Sequence, residues 1–552
     1  MQFKTNETIA HPVGEASNGT NHGTTHETKC ESTGGPGVTT AWPLDTPGGR
    51  YYAEWDPEAP VTVHGQLIFF VQFLQTGKRW ADFIKDCPLT YSGNRGSGAT
   101  NVIVTMVLSI LSGHWRYLHM NAIRGDTINA GLLGATRLVS DDVVRDALNH
   151  RMDEEKTLAW IHQHQRLALE PILRVPYILD IDSTVKPLYG NQQGAEIGYN
   201  PQKPGRPSHV YHSYFVANLR LCLGVEVLGG KQHSSAHGQP GLWDTLKAYP
   251  RECWPTFVRG DCAYGNEAFM LECEENNMPY LFKLRFTGNV KKLVASVMHK
   301  GEKWKSDGRG WQVCEATIKL KGWSKERRVV LVREASPRAP IAENPDHVSS
   351  PGKRKGKDRD CFEAAEGKAW KSPAPWAGKI SVLVTSLDMT DYPTESIGQL
   401  YRERGDMENN YDELKNQWGW NGYTTKKLGP CRIMANLIAF IANLWTLYVM
   451  LFDGEHHREA ITSRPALLSG VGRQTEHAGK KTIKVRILHE NGEIIAQAIT
   501  VISNLLNRMS AIAARWEPAT SWALLMMWIF RAKLAGKWLI ELPPEGRAFL
   551  AG

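Results

Sequence analysis

The sequence predicts an α/β fold with helical regions before and after the sheet, and three observations carry that prediction. Between Pro171 and Arg285, short apolar runs that suit buried strands alternate with stretches of helical periodicity, the pattern of a layered α/β core. From 290 to 335 strand texture dominates, in WQVCEATIKL and RRVVLVREA. KISVLVTSL then resumes that texture just before the polar helical stretch YRERGDMENNYDELKNQWGW, residues 401–420.

Taken in order, residues 1–58 are rich in Gly, Thr, Ser, Asn, Pro and His with little periodicity, the composition of a disordered tail. Residues 59–170 form a helical region. TNVIVTMVLSILSGHWRYLHMNAI suits a buried helix, and LVSDDVVRDALNHRM opens with Ser140 as an N-cap. Two short helices around Gly131–Gly134 suit either a helix-turn-helix that would bind DNA or a small helical bundle. Residues 171–286 supply the first part of the core: VPYILDID as a buried strand, HVYHSYFVANLRLCLGVEVL as two strands with a turn, PTFVRGD as a strand, NEAFMLECEENNM as a helix and PYLFKLR as a strand. Residues 287–376 read as a β-rich insertion followed, from about 336, by a Pro-, Gly-, Lys- and Arg-dense loop (SPGKRKGKDRD) with the texture of a solvated linker. Residues 377–455 complete the core. The C-terminal region, 456–552, opens with a hairpin-like TIKVRILHENGEIIAQAITV and continues as helices.

Composition narrows the function. The formal charge of +8 suits a polyanionic partner. The nine cysteines are odd in number and contain no C-x-x-C pair, which fits reduced thiols in a cytoplasmic protein and argues against a disulfide framework or a zinc ribbon. Most of the 19 tryptophans suit core and interface positions, with base stacking open to some. The amino terminus lacks the apolar stretch of a secretory signal. IMANLIAFIANLWTLYVMLF, residues 433–452, is uncharged and long enough to cross a bilayer. Asn436 and Asn443 interrupt it, however, and it reads as a helix buried in a large core, so no membrane partner is expected.

At about 100° per residue, Tyr401, Arg404, Glu408 and Lys415 fall within a sector of about 60° on one helix. Leu400, Met407, Tyr411, Leu414 and Trp418 form an apolar stripe beside it. Asp182 closes the strand ILDID and Asp261 closes FVRGD, at the kind of strand end where ligands bind in α/β sheets. Asp180 competes with Asp182, because residues two apart on a strand point the same way. Taken singly, an Asp at a strand end is more often a turn residue, and a Glu and Lys seven apart on a helix more often belong to a solvated face. Asp182, Asp261 and Glu408 converging from three elements would hold two Mg²⁺ ions, which want hard oxygen ligands and serve in-line phosphoryl displacement. Arg404 and Lys415 would then hold flanking phosphates.

The spacing Tyr401-x2-Arg404-x3-Glu408-x6-Lys415 resembles the Tyr-Arg-Glu-Lys signature of bacterial insertion-sequence transposases of the DDE class. DIDST resembles the block holding that family's first catalytic Asp, which selects Asp182 over Asp180, and RGDCAYG resembles the second block, at Asp261. GYNPQKPGRPSHVYHSYF is similar to a segment these transposases carry after the first acid. The resemblance covers roughly residues 100–550. It implies an RNase H-like mixed-sheet catalytic core with the β-rich insertion between Asp261 and Glu408, a helical DNA-binding region before it and a helical C-terminal region after it. It also implies cut-and-paste transposition on double-stranded DNA, both transposon ends and target. Asp182, Asp261 and Glu408 would hold two Mg²⁺ ions (Mn²⁺ substituting), and Tyr401, Arg404 and Lys415 would contact DNA, as would Lys203 and Arg206 in the PQKPGRP turn. A homodimer in the synaptic complex and a bacterial cytoplasmic, nucleoid-associated location complete the implied picture. The alternatives are a DNA-binding descendant without cleavage activity and an RNase H-like nuclease that cuts without joining. Gly405, inside the helix, should cost about 1 kcal/mol relative to Ala.

Overall fold

The computed structural model describes residues 42–531, apart from 55, 57, 92–97, 202, 218, 233–240, 301, 309, 336–378, 454–455 and 514–515. Most of the expected tail and nearly all of the basic loop after the β-rich region therefore lie outside the described residues. Two compact units are present, Met1–Ala59 and Pro60–Gly552. Within the first, where a tail without regular structure is expected, β1 (Trp42–Thr46) and β2 (Gly49–Ala53) pair as an antiparallel hairpin. Gly49, at φ +114°, supplies the backbone freedom that the turn requires.

The second unit begins with the short strand β3 (Val61–Thr62) and a set of helices. Helix Ala99–Leu111 is buried from Asn101 to Leu111, as its unbroken apolar sequence requires. Helix Thr127–Leu132 is capped by Asp126, whose Oδ1 accepts the Asn129 N–H at 2.9 Å. Helix Asp141–Asp146 follows only after residues 133–140. That separation exceeds the tight turn of a helix-turn-helix, and the arrangement is the small bundle.

Among the described residues the central sheet has nine strands. In chain order its first five are β4 (Ile178–Pro187), β5 (Ser208–Val216), β6 (Leu221–Gly229), β7 (Phe257–Gly260) and β8 (Tyr280–Lys283). In space they run β6-β5-β4-β7-β8, with β4, β5 and β6 antiparallel and β7 and β8 parallel to β4. A meander followed by two parallel strands, the β7–β8 crossover carried by helix Glu267–Glu275, is the RNase H-like mixed sheet. The strands of the β-rich region do not build a sheet of their own. β9 (Lys305–Gly308), β10 (Trp311–Ile318), β11 (Arg327–Glu334) and β12 (Ile380–Thr385) continue the same sheet in the order β8-β12-β11-β10-β9. Residues 288–299, inside a stretch that reads as strand-rich, are instead a helix with Val290, Val294 and Val297 buried along one side.

The long apolar helix is Leu428–Val449, buried almost all round. It lies along β6, an edge of the sheet whose outward backbone groups would otherwise be unpaired. Asn443 accepts from the Cys222 N–H (2.8 Å) and donates to the Cys222 carbonyl (2.7 Å), while Asn436 donates to the Val225 carbonyl at 3.1 Å. The two asparagines that interrupt the apolar run thus finish the edge of the sheet.

The C-terminal region differs from the sequence reading in register. The hairpin is β13 (Val471–His477) with β14 (Lys480–Arg486), turning at Ala478 and Gly479, both at positive φ. The Asn491-Gly492 pair, a turn signal by sequence, instead lies at the start of helix Gly492–Ala513, whose buried Ile499, Ile502, Leu506 and Met509 recur at helical spacing.

Candidate active site

The site is built from the β4–β7 ladder. These strands pair in parallel with Asp180 opposite Arg259 and Ile181 opposite Gly260. Asp182 and Asp261 follow directly, one step past the last pair and on one face of the sheet. β7 ends at Gly260, so Asp261 does close its strand, but β4 runs on to Pro187 beside β5, with Asp182 opposite Ser213. Asp182 therefore sits within its strand and not at its end. What ends there is the parallel ladder, and the crevice opens beside it.

Most residues of the RGDCAYG block have a role in this arrangement. Arg259 is bound bidentately to Asp180, at 2.6 and 2.8 Å, with both side chains almost fully buried. A Cβ at Gly260 would stand 2.6 Å from the Tyr264 ring and 3.1 Å from Ile181, so only glycine lets that ring lie against the strand. Asp261 Oδ1 accepts the Ala263 N–H at 2.9 Å and shapes the turn. Gly265 passes the Lys283 carbonyl where a Cβ would come to 2.5 Å.

The segment expected as one helix over 401–420 is divided. Helix Thr394–Arg402 gives way to a 3₁₀ turn at Glu403–Gly405 and then to helix Asp406–Asn416. The first half is fastened to the sheet extension: Arg402 pairs with Asp307, Gln399 Nε2 donates to the Asp307 carbonyl at 2.6 Å, and Thr394 bonds Glu315. The Arg259 guanidinium also donates to the Leu400 carbonyl. Met407, Tyr411, Leu414 and Trp418 are buried, the stripe that the periodicity demands. Gly405 has φ −54°, and a Cβ there would meet nothing within 4 Å, so packing gives no reason for it.

Across this surface the helix lays its polar edge along β4. Arg404 donates to Asp182 Oδ2 at 2.7 Å. Tyr411 Oη is 2.6 Å from Ser213 Oγ, beside Asp182. Lys415 bonds Thr184 Oγ1 and donates to the Val185 carbonyl at 3.1 Å. Tyr401 is half-buried against an apolar cluster that includes Phe257 and Ile397. Glu408 is exposed and makes no hydrogen bond or ion pair among the described residues. Those residues hold no group of three acidic, His or Cys side chains arranged for a metal, so Glu408 stands apart from the aspartate pair, with Arg404 bonded to Asp182.

The electrostatics follow from burial and crowding. Burial pushes the Asp182 carboxyl up to about 7, reinforced by Asp261 and opposed by Arg404. Desolvation works against the Arg404 charge, but Asp182, then Tyr401 and Asp261, hold it well above the usual arginine range. Burial lowers Lys415 to about 8 against the pull of Asp182 and Asp412. Tyr264 is fully buried near both acids, and its hydroxyl has no hydrogen-bond partner among the described residues. Two hard carboxylates on adjacent strands, one pushed towards neutrality by burial in spite of Arg404, are a donor set that fits a divalent cation.

Lys203 and Arg206 lie on the β4–β5 loop, away from this surface in sequence, and both sit over the exposed Tyr189 ring, 4.9 and 4.8 Å from its centroid. Sequence reasoning missed Tyr189, Arg259, Ser213 and Thr184. Arg259 had a signal, since a charged residue inside a strand that reads as buried demands a partner.

An RNase H-like sheet thus carries two aspartates on adjacent parallel strands, each one residue past the last pair of the β4–β7 ladder. The profile of the transposase DDE domain group 1 family matches residues 148–464, and the chain belongs to that family. Among curated proteins none matches it in sequence. Among solved structures it is similar to piggyBac transposase in a cryo-EM synaptic complex with hairpin DNA, with TM-score 0.35 and 10% identity, covering 90% of this chain and 87% of that one.

Proposed function

We propose that this DDE transposase cuts DNA at the ends of its element and joins those ends to target DNA, as a member of the subgroup with the Tyr-Arg-Glu-Lys signature. The observation that carries the reading is the placement of Asp182 and Asp261 on adjacent strands just past the β4–β7 ladder, with Arg404 bonded to Asp182. DDE transposase domains use divalent metal ions. Here Asp182 and Asp261, with the exposed Glu408 side chain turned in to join them, would hold two, Mg²⁺ by the hardness of the ligands, and the ions would supply charge stabilisation at the attacking and leaving oxygens.

The chain's own residues position the DNA. Arg404 exchanges Asp182 for a phosphate oxygen, and Lys415, sharing its edge, holds the neighbouring phosphate. Tyr401 and the Lys203–Arg206 turn orient the flanking strand. A water oxygen attacks phosphorus, the P–O3′ bond breaks, and the 3′-oxygen takes up the proton to leave a 3′-hydroxyl and a 5′-phosphate. In the second step that 3′-hydroxyl attacks a target phosphodiester, forming a new P–O bond and releasing a target 3′-hydroxyl. Synapsis of two ends calls for a homodimer on DNA, in the bacterial cytoplasm.

The test is incubation of the purified protein and Mg²⁺ with a plasmid carrying the gene's own flanking DNA, beside Asp182→Asn. Cleavage at discrete flank positions that the variant lacks supports the reading. Binding without cleavage by the unaltered protein would favour a binding-only descendant, and cleavage without joined product a nuclease.

A further inference from the structure

The β13–β14 ribbon has a charge distribution that the catalytic site does not use. Its register places Val471 opposite Arg486, Arg473 opposite Lys484, Thr475 opposite Thr482 and His477 opposite Lys480. Strand alternation puts these eight residues on one face, and all of them are exposed. That face carries Arg473, Lys480, Lys484 and Arg486 and no carboxylate. None of the four cations has an ion pair or side-chain hydrogen bond among the described residues.

Like charges directly opposite on paired strands destabilise a sheet, and Arg473 and Lys484 are such a pair. Lysines on an edge strand are commonly a guard against strand-to-strand aggregation, which would account for β14. It does not account for Arg473, which lies on the middle strand, paired with Val61 on its other side. Nor does it account for a face free of acid. The base of the ribbon is fixed, through Gly472 to Thr62 and through the Gln474 N–H to the Pro60 carbonyl at 3.0 Å. β3 pairs no further along than Arg473, so the Thr475–Thr482 end extends beyond it around the tight turn at Ala478 and Gly479. A fixed, twisted two-stranded ribbon fits a DNA groove.

We propose that this face of β13–β14 is a second DNA-binding surface, contacting the phosphates of double-stranded DNA outside the catalytic crevice. The proposal rests on the transposase reading for its partner and on charge complementarity for its place. Binding relieves the Arg473–Lys484 repulsion by supplying the missing anions, and it contributes affinity without reading sequence.

The experiment is fluorescence anisotropy of the full chain on a labelled duplex of arbitrary sequence across a salt series. The proteins compared are the unaltered one, a variant with Arg473, Lys480, Lys484 and Arg486 each changed to Gln, and one with only the three β14 cations changed. The four-fold variant should bind more weakly on every sequence, its log–log salt slope shallower by about 3 to 4, at about 0.9 for each phosphate no longer neutralised. The three-fold variant should fall between. Arg473→Gln alone, without DNA, should melt no lower than the unaltered protein, which shows the ribbon folded. Equal slopes for the folded variants and the unaltered protein would overturn the ribbon assignment and leave the transposase reading standing. No duplex binding by the unaltered protein would overturn both.

Discussion

Arg259 grips both carboxylate oxygens of Asp180, at 2.6 and 2.8 Å, and donates its remaining N–H group to the Leu400 carbonyl. Two residues later on the same strands stand Asp182 and Asp261. Two aspartates two residues apart on one face of β4 thus have opposite fates. The first is consumed in a buried ion pair that ties the sheet to the helix carrying Tyr401, and the second is left at the crevice. Because Asp180 and Arg259 are both buried, removing one partner strands a charge. Arg259→Ala should cost about 3–5 kcal/mol in chemical denaturation, with a smaller loss when Asp180→Asn is added. A cost under about 1 kcal/mol would show that the pair does not hold this junction.

The Asp182 shift gives a pH signature. An acid whose folded pKa, about 7 here, lies above its unfolded value of about 3.9 favours folding when protonated. Its contribution is fully present below about pH 4 and is lost as pH rises through about 7. In metal-free, DNA-free buffer the melting temperature of Asp182→Asn should therefore climb relative to the unaltered protein across that window. A constant difference, or one that narrows, would contradict the burial of this carboxyl.

Two glycines separate packing from propensity. Gly260→Ala forces a methyl group against the Tyr264 ring and Ile181, an overpacking worth about 1–3 kcal/mol, and it should reduce cleavage by displacing Asp261. Gly405→Ala enters open space at a helical φ and should stabilise by about 0.5–1 kcal/mol. Paired urea titrations check both signs.

Asn443→Leu tests the edge-sealing role of the long helix. It leaves the Cys222 N–H and carbonyl short of partners, although Gln165 still reaches that carbonyl at 3.1 Å. The expected loss is about 1–3 kcal/mol despite the gain in apolarity, and a stabilised protein would refute it.

The legible parts of the chain were those where local pattern and tertiary role agree. Alternation and apolar runs located β4 to β8, β10, β11 and β12, and the 3.6 period located Met407, Tyr411, Leu414 and Trp418 on the buried face. What was not legible depends on partners distant in sequence. Asp182 looks like a strand terminus because Ser183 and Thr184 are polar, and only β5 pairing keeps that stretch extended. The break at Glu403–Gly405 arises where the first helical half is fastened to β9 and β10 and the second to β4 and β5. Asn491-Gly492 carries a strong turn signal, yet Ala478-Gly479 makes the hairpin because its flanking strand finds β3.

The most direct measurement is joining by a pre-cut element end carrying a 3′-hydroxyl, using Asp182→Asn and Asp261→Asn in parallel with duplex binding. If the two carboxylates act as one centre, each variant loses joined product by at least about a thousandfold, a barrier rise of about 4 kcal/mol, while binding duplex as the unaltered protein does. Joining retained by either variant would contradict a shared centre at Asp182 and Asp261.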